Sequence, residues 1–151
     1  MEQVPLFIVN GLLNFKQAGI AYHTYNEKKI KEELLCNLET CFYANKKYYD
    51  IICHGDRFLK EHNAQKVTIK SYDGLLLSGL WVPAENPKGT ILLAHGYRST
   101  KLLDFSLALD FYHDYGMNLL LPDQRSHGDS QGKIITFGVK ESRDMKSWID
   151  F

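Results

Sequence analysis

Thr90-Ile-Leu-Leu-Ala-His-Gly-Tyr-Arg-Ser99 contains the clearest strand signal in the chain. Its four consecutive apolar residues, Ile91 to Ala94, predict a strand buried on both faces, because a half-buried strand would alternate polar and apolar residues. The run stops at His95-Gly96, and a helical pattern begins a few residues later. Such a junction presents backbone N–H groups at the carboxyl end of a buried strand, where α/β proteins bind their ligands.

The segments on either side of this strand complete an α/β pattern. Alternation over Lys66–Tyr72, the turn pair Asp73-Gly74 and an apolar run over Leu75–Val82 predict a β-hairpin. Apolar residues then recur every four positions over Leu102–Tyr115, which predicts an amphipathic helix, and Met117–Leu121 predicts a second buried strand. A strand, helix and strand in this order form a right-handed parallel βαβ unit.

Composition divides the chain into two parts, residues 1–65 and residues 66–151. Lys, Glu, Leu and Tyr dominate from Glu27 to His62, where apolar residues at three- and four-residue spacings predict a helical N-terminal segment. This segment could pack on its own domain, lie against a membrane or bind a partner, and packing is the interpretation that the pattern favours. The second part is the α/β unit, which ends in a helix predicted over Val139–Phe151.

Charge and composition exclude several functional classes. The chain of 151 residues has 18 basic and 18 acidic residues, so it lacks the basic surface that nucleic-acid binding requires. Cys36, Cys41 and Cys53 fit no metal or disulfide spacing, which is typical of a reducing compartment. The apolar run near the N-terminus is too short and too often interrupted to span a bilayer, and it lacks the basic region of a signal peptide. We therefore predict a cytoplasmic protein without a transmembrane segment.

Two motifs resemble a known family. Ile-Leu-Leu-Ala-His-Gly-Tyr at 91–97 is followed by Leu-Leu-Leu-Pro-Asp-Gln-Arg-Ser-His-Gly at 119–128. Together they resemble the N-terminal half of an α/β-hydrolase of the serine-hydrolase superfamily, over roughly Val67 to Phe151. The resemblance implies acyl transfer from an ester, thioester or amide, with a small acyl-type substrate, a serine, histidine and acid triad and no cofactor.

The resemblance also implies a role for the loop that follows the first buried strand. In the family this loop supplies one backbone N–H to the oxyanion hole, and Tyr97 is the position expected to donate it. His95 and Gly96 would then shape the loop. The alternative is that His95-Gly96 only makes a tight turn.

The second motif is expected to be structural rather than catalytic. By resemblance, its charged residues brace the floor of the cleft below the reacting atoms. Many members of the family have Gly where this chain has Ser126, so the local turn differs. The residues given this role are Asp123, Arg125, His127 and Gly128.

Gly128-Asp-Ser-Gln-Gly132 matches the G-x-S-x-G pattern of a nucleophile, which would make Ser130 catalytic. That serine must stand on a sharp turn between a buried strand and a helix, but here Pro122 to His127 separate strand and pentapeptide. No histidine follows Ser130 to complete the triad in family order. We therefore assign no catalytic residue within the chain and no metal site, since the six histidines lack ligand spacing.

Three functional hypotheses follow from these motifs. The first is an N-terminal hydrolase fragment, inactive alone, whose nucleophile elbow and C-terminal half are missing. The second is a complete non-catalytic binding protein with half a hydrolase fold. The third is a small enzyme that uses Ser130, or a rearranged site built across a dimer. Under the first hypothesis the 91–94 strand lacks one neighbour, so its exposed edge is expected to promote self-association.

Overall fold

The computed structural model describes residues 6–10 and 46–151, and it describes side chains from residue 50 onward. Five strands form one mixed sheet in the order β1-β4-β5-β3-β2. The strands are β1 (Leu6–Asn10), β2 (Gln65–Lys70), β3 (Leu76–Val82), β4 (Gly89–Ala94) and β5 (Met117–Pro122). The helices are α1 (Lys46–Glu61), α2 (Lys101–Phe105), α3 (Leu109–Asp114) and α4 (Glu141–Ile149).

The predicted hairpin and the predicted parallel unit are both present. Strands β2 and β3 pair antiparallel around the turn at Asp73-Gly74, where Gly74 has a φ of 90°. Strands β4 and β5 pair in parallel, with Ile91 opposite Leu119, and β3 joins the other side of β5 antiparallel. The predicted α/β fold class is therefore confirmed.

The helix predicted over Leu102–Tyr115 is two short helices, α2 and α3. Ser106 lies at the break, where its hydroxyl donates to the Leu102 carbonyl at 2.5 Å. Helix α1 approaches closely here, since a Cβ on Gly55 would lie 2.1 Å from the Ser106 hydroxyl oxygen. This contact explains why small residues are needed at both positions.

Apolar side chains cover both faces of the sheet. On one face, Phe58 and Leu59 of α1 join buried residues of β4, β5, α2 and α3 in a single core. On the other face, Trp148 of α4 packs with Leu77, Leu92, Ala94 and Leu120. The β4 and β5 runs are continuous rather than alternating because they are buried from both sides. Among the described residues, no helix has the length and apolarity needed to cross a bilayer.

The predicted open edge of β4 is wrong. Strand β1 pairs with it in parallel, with Leu6 opposite Thr90 and Asn10 opposite Ala94. Without a neighbour on this side, β4 would leave the backbone N–H and C=O groups of an apolar run unpaired. An extended apolar segment within reach can form hydrogen bonds with these groups. Leu6 to Val9 is such a segment, and it lies inside the part predicted to be helical. Self-association stays an untested prediction, but the unpaired β4 edge from which it was predicted is occupied by β1 here.

We expect proline substitutions in β1 to have alternating effects. Consecutive residues of an edge strand point their N–H groups to opposite sides, so only one of Ile8 and Val9 can donate to β4. Ile8→Pro and Val9→Pro should therefore differ, with one variant melting lower and associating more than the other. Thermal melting and sedimentation measure both effects. Two variants that both match the parent would contradict the pairing of β1 with β4.

Candidate functional site

The loop after β4 is closed by one carboxylate. Asp104 of α2 accepts the Gly96 N–H at 2.6 Å and the Ser99 hydroxyl at 2.5 Å. The Ser99 N–H also donates to the Gly96 carbonyl at 3.2 Å, and Arg98 takes a positive φ of 56° between them. The loop is thus a tight turn tied to the start of the following helix. Sequence analysis missed Asp104, because its pattern shows only a polar position on an amphipathic helix.

His95 is buried and holds the two loops of the site together. Its Nε2 accepts the Gln124 backbone N–H at 3.1 Å, which places the ring proton on Nδ1, 3.0 Å from the Gly96 carbonyl. The Gln124 side-chain amide in turn donates to the His95 carbonyl. Burial lowers the pKa of His95 to about 4, and His127 adds to this shift. His95 is therefore neutral at physiological pH and positions backbone rather than charge.

Tyr97 lies at the outer end of the same loop. Among the described residues its backbone N–H has no hydrogen-bond acceptor, whereas the preceding N–H of Gly96 is taken by Asp104. Its side chain is 53% exposed, and its ring lies 4.9 Å from the ring of Phe137. In the part of the chain that the structure describes, the Tyr97 N–H is therefore an available donor near the carboxyl end of β4, beside an exposed aromatic pair.

Asp123 begins the loop after β5 and is 3% exposed. Both of its carboxylate oxygens accept hydrogen bonds from Lys101, at 2.8 and 2.9 Å, and the Lys101 side chain is 8% exposed. Gly128 has a φ of 51°, and a Cβ there would lie 2.4 Å from the Asp123 carboxyl carbon. The loop can therefore fold back over Asp123 only with glycine at this position. The carboxylate also accepts the Asp129 N–H at 3.3 Å.

Arg125 joins three segments through one buried guanidinium. It donates to Asp144 of α4 from Nε and Nη2, both at 2.6 Å. It also donates to Asp73 in the β2–β3 turn, at 3.0 and 3.1 Å. Asp144 raises the pKa of Arg125, and the Arg125 hydrogen bonds hold the pKa of Asp73 well below its usual range. Arg125 and Asp73 are therefore charged, and neither is placed to transfer a proton.

His127 lies next to His95 on the inner side of the second loop. The two imidazole rings are 4.9 Å apart at their centroids, and His127 Nδ1 lies 3.0 Å from the Arg125 carbonyl. Tyr97 is exposed at the surface of the site. The other residues predicted for the site lie together in its two loops: His95, Gly96, Asp123, Arg125, His127 and Gly128. Within the described residues, no three His, Cys, Asp or Glu side chains are grouped to hold a metal.

The Ser130 hydroxyl is bound to backbone on both sides. It donates to the Asp123 carbonyl at 2.6 Å and accepts the Ser78 N–H at 2.9 Å. The hydroxyl proton is donated to a carbonyl, and no imidazole of the described residues hydrogen-bonds to it, so the contacts support a structural role for Ser130 between β3 and the loop. The G-x-S-x-G match is therefore no evidence of a nucleophile here.

The described fold is similar to parts of known protein structures. The esterase Pf2001 of Pyrococcus furiosus matches 61% of the chain at 31% identity, with a TM-score of 0.56. The α/β hydrolase GrgF from Penicillium sp. sh18 matches 58% at 20% identity, with a TM-score of 0.54. This part of the chain has an α/β-hydrolase-like fold. No family model matches the chain.

The matches cover only part of the similar proteins. The chain spans 38% of the Pf2001 structure and 31% of the GrgF structure. The chain is also 31% identical over 77 residues to the uncharacterized protein YqkD of Bacillus subtilis (strain 168). This match covers 51% of the chain and 25% of YqkD. The shared region is thus a minority of each of these similar proteins.

We expect Asp144→Ala to destabilise the fold by about 3–5 kcal/mol, because it leaves the Arg125 charge buried with a single partner. Asp150→Ala, at the residue directly after the same helix, is the matched control. Asp150 is 65% exposed and 3.5 Å from Lys146, so its loss should change stability by less than about 0.5 kcal/mol. Urea unfolding measures both variants, and equal effects would contradict the importance of the buried pair.

We expect His95 to make stability depend on pH between 6.5 and about 4. The unfolded imidazole takes up a proton below pH 6.5, whereas the buried ring does not until about pH 4. The His95 contribution is therefore complete above pH 6.5 and is lost as the pH falls, by up to about 1.4 kcal/mol per pH unit. Urea unfolding of the parent and of His95→Asn across this range should show their difference in stability narrowing towards low pH. A constant difference would mean that His95 is protonated in the fold.

Proposed function

We propose that this chain supplies the oxyanion loop and cleft floor of a hydrolase that cleaves an ester, thioester or amide by acyl transfer. The backbone N–H of Tyr97 is the donor to the developing oxyanion, and His95 and Gly96 hold the loop in shape. Asp123, Arg125, His127 and Gly128 brace the floor. The nucleophile, acid and base of the triad are supplied by residues outside this chain.

The proposal rests on a difference in hydrogen bonding between two consecutive backbone N–H groups. Asp104 accepts the Gly96 N–H at 2.6 Å, while the Tyr97 N–H, where β4 ends, has no acceptor among the described residues. An oxyanion donor must be rigid before the reaction and about 3 Å from the oxygen that gains charge. A turn fixed by a carboxylate and by a buried neutral histidine meets the first requirement. Carboxylic esters are the first substrates to test, since the similar Pf2001 protein is an esterase.

Activity measurements on two forms of the protein test the proposal. We expect the 151-residue chain to show no turnover of 4-nitrophenyl butyrate and no labelling by a fluorophosphonate, because loss of a triad costs several orders of magnitude. Ser130→Ala should behave like the parent. The protein translated from the uninterrupted reading frame around this chain should show both turnover and labelling. Labelling of the 151-residue chain that disappears in Ser130→Ala would overturn the proposal.

In the active form, Tyr97 variants test the donor directly. Tyr97→Pro removes the N–H and should lower kcat by about 10² to 10³ with little change in KM, because the oxyanion exists only in the transition state. Tyr97→Phe keeps the N–H and should lose much less. Inserting one residue between Gly96 and Tyr97 should resemble the proline variant. Equal losses from Tyr97→Pro and Tyr97→Phe would assign the work to the phenol hydroxyl.

A second candidate, a complete non-catalytic binding protein, is favoured by the position of β1. In the sheet order expected from the family, the neighbour of β4 on this side is the strand that leads to the nucleophile. Here Leu6–Asn10 takes that position in the described fold. Under this candidate no form of the protein reacts with the fluorophosphonate, so the same labelling experiment separates the two functions.

A further inference from the structure

Phe137 is held in a conformation that its side chain does not favour. Its φ of 51° lies in the left-handed region, which bulky residues rarely adopt, yet the residue is 77% exposed. An exposed ring contributes little to folding, so the strain is not offset by burial in the core. Strained residues of this kind concentrate at functional sites.

A buried carboxylate holds the backbone on both sides of Phe137. Glu141, which is 6% exposed, accepts the Thr136 N–H at 2.7 Å, the Thr136 hydroxyl at 2.6 Å and the Gly138 N–H at 2.9 Å. These bonds also close the start of α4. Phe137 therefore projects from a rigid loop, and the direction of its ring is set by the fold.

The Phe137 ring contacts the ring of Tyr97, which lies in the loop after β4. The centroids are 4.9 Å apart and the planes are tilted by 35°, within the range of favourable aromatic pairs. The Arg98 guanidinium lies 5.5 Å from the Tyr97 centroid. We call Tyr97 and Phe137 together the aromatic shelf. It stands next to the backbone N–H proposed to bind the oxyanion.

We propose that the aromatic shelf binds the hydrophobic acyl group of a carboxylic ester, an inference that rests on the proposed function. The acyl group is bonded to the same carbon as the oxyanion, so it must lie next to the residue that donates the N–H. The rings of Tyr97 and Phe137 are both more than half exposed. They give the acyl group an apolar surface whose desolvation favours binding. Arg98 beside the shelf disfavours acyl groups that carry a positive charge.

Binding to the 151-residue chain itself tests the shelf, because an uncleaved ester needs no triad in order to bind. Methyl 4-phenylbutanoate is titrated against the chain, and the ring-proton signals of Tyr97 and Phe137 are followed by NMR. Both signals should shift with one dissociation constant, and methyl acetate should bind much more weakly. Phe137→Ala should weaken binding about tenfold, the equivalent of one lost aromatic contact.

Two variants separate a binding role from a structural one. Phe111→Ala removes a Phe that is 68% exposed on α3 and should leave binding unchanged. Phe137→Gly removes the ring but also relieves the positive φ, so it should lose binding while melting no lower than the parent. A lower melting temperature without loss of binding would overturn the shelf.

The shelf and the proposed function fail in different ways. Ester binding that depends on Phe137, in a protein that never reacts with a fluorophosphonate, supports the shelf and overturns the hydrolase. Turnover in the longer protein with the same kcat/KM for both esters, unchanged in Phe137→Ala, supports the hydrolase and overturns the shelf.

Discussion

The buried guanidinium of Arg125 is the interaction on which the described fold depends most. A buried charge is tolerated only when its hydrogen-bonding groups are matched, and Arg125 meets this demand with Asp144 and Asp73. Those two carboxylates lie on α4 and in the β2–β3 turn, so one side chain fixes a helix, a hairpin and the loop after β5 relative to each other. Trp148 on the same helix then packs over β3, where a Cβ on Gly79 would lie only 3.1 Å from its ring.

A second buried pair extends this frame to the other loop. Lys101 at the start of α2 donates to Asp123 at the end of β5, and His95 at the end of β4 accepts the Gln124 N–H. The carboxyl ends of the two parallel strands are therefore joined by polar contacts beneath the surface. Tyr97 and Phe137 project above this layer. Rigid polar contacts below and exposed rings above form a surface that can bind an apolar group without rearranging.

Much of the sheet could be predicted, whereas the contacts that assemble the site could not. The β4 and β5 strands follow from the apolar runs Ile91 to Ala94 and Leu119 to Leu121, which few other structures explain. The partners of Arg125 are 19 and 52 residues away in sequence, and no periodicity links them. Lys101 has the appearance of an ordinary surface lysine, and Ser106 that of a polar helix position. Strand β1 was missed because a short apolar run gives no indication of the distant strand with which it pairs.

The two functional hypotheses differ in which strand pairs with the edge of β4 that β1 occupies here. Asn10 is the last residue of β1 and is paired with Ala94, directly before the loop that contains the Tyr97 N–H. In a parallel sheet the carboxyl ends of neighbouring strands lie at the same edge, so the end of β1 at Asn10 lies beside the end of β4. A hydrolase needs a nucleophile directly after the strand beside β4, and Asn10 is not a nucleophile. Only one strand can pair with this edge of β4 at a time. Under the hydrolase hypothesis another strand would have to replace β1 at this edge, whereas under the binding-protein hypothesis β1 can stay paired with β4.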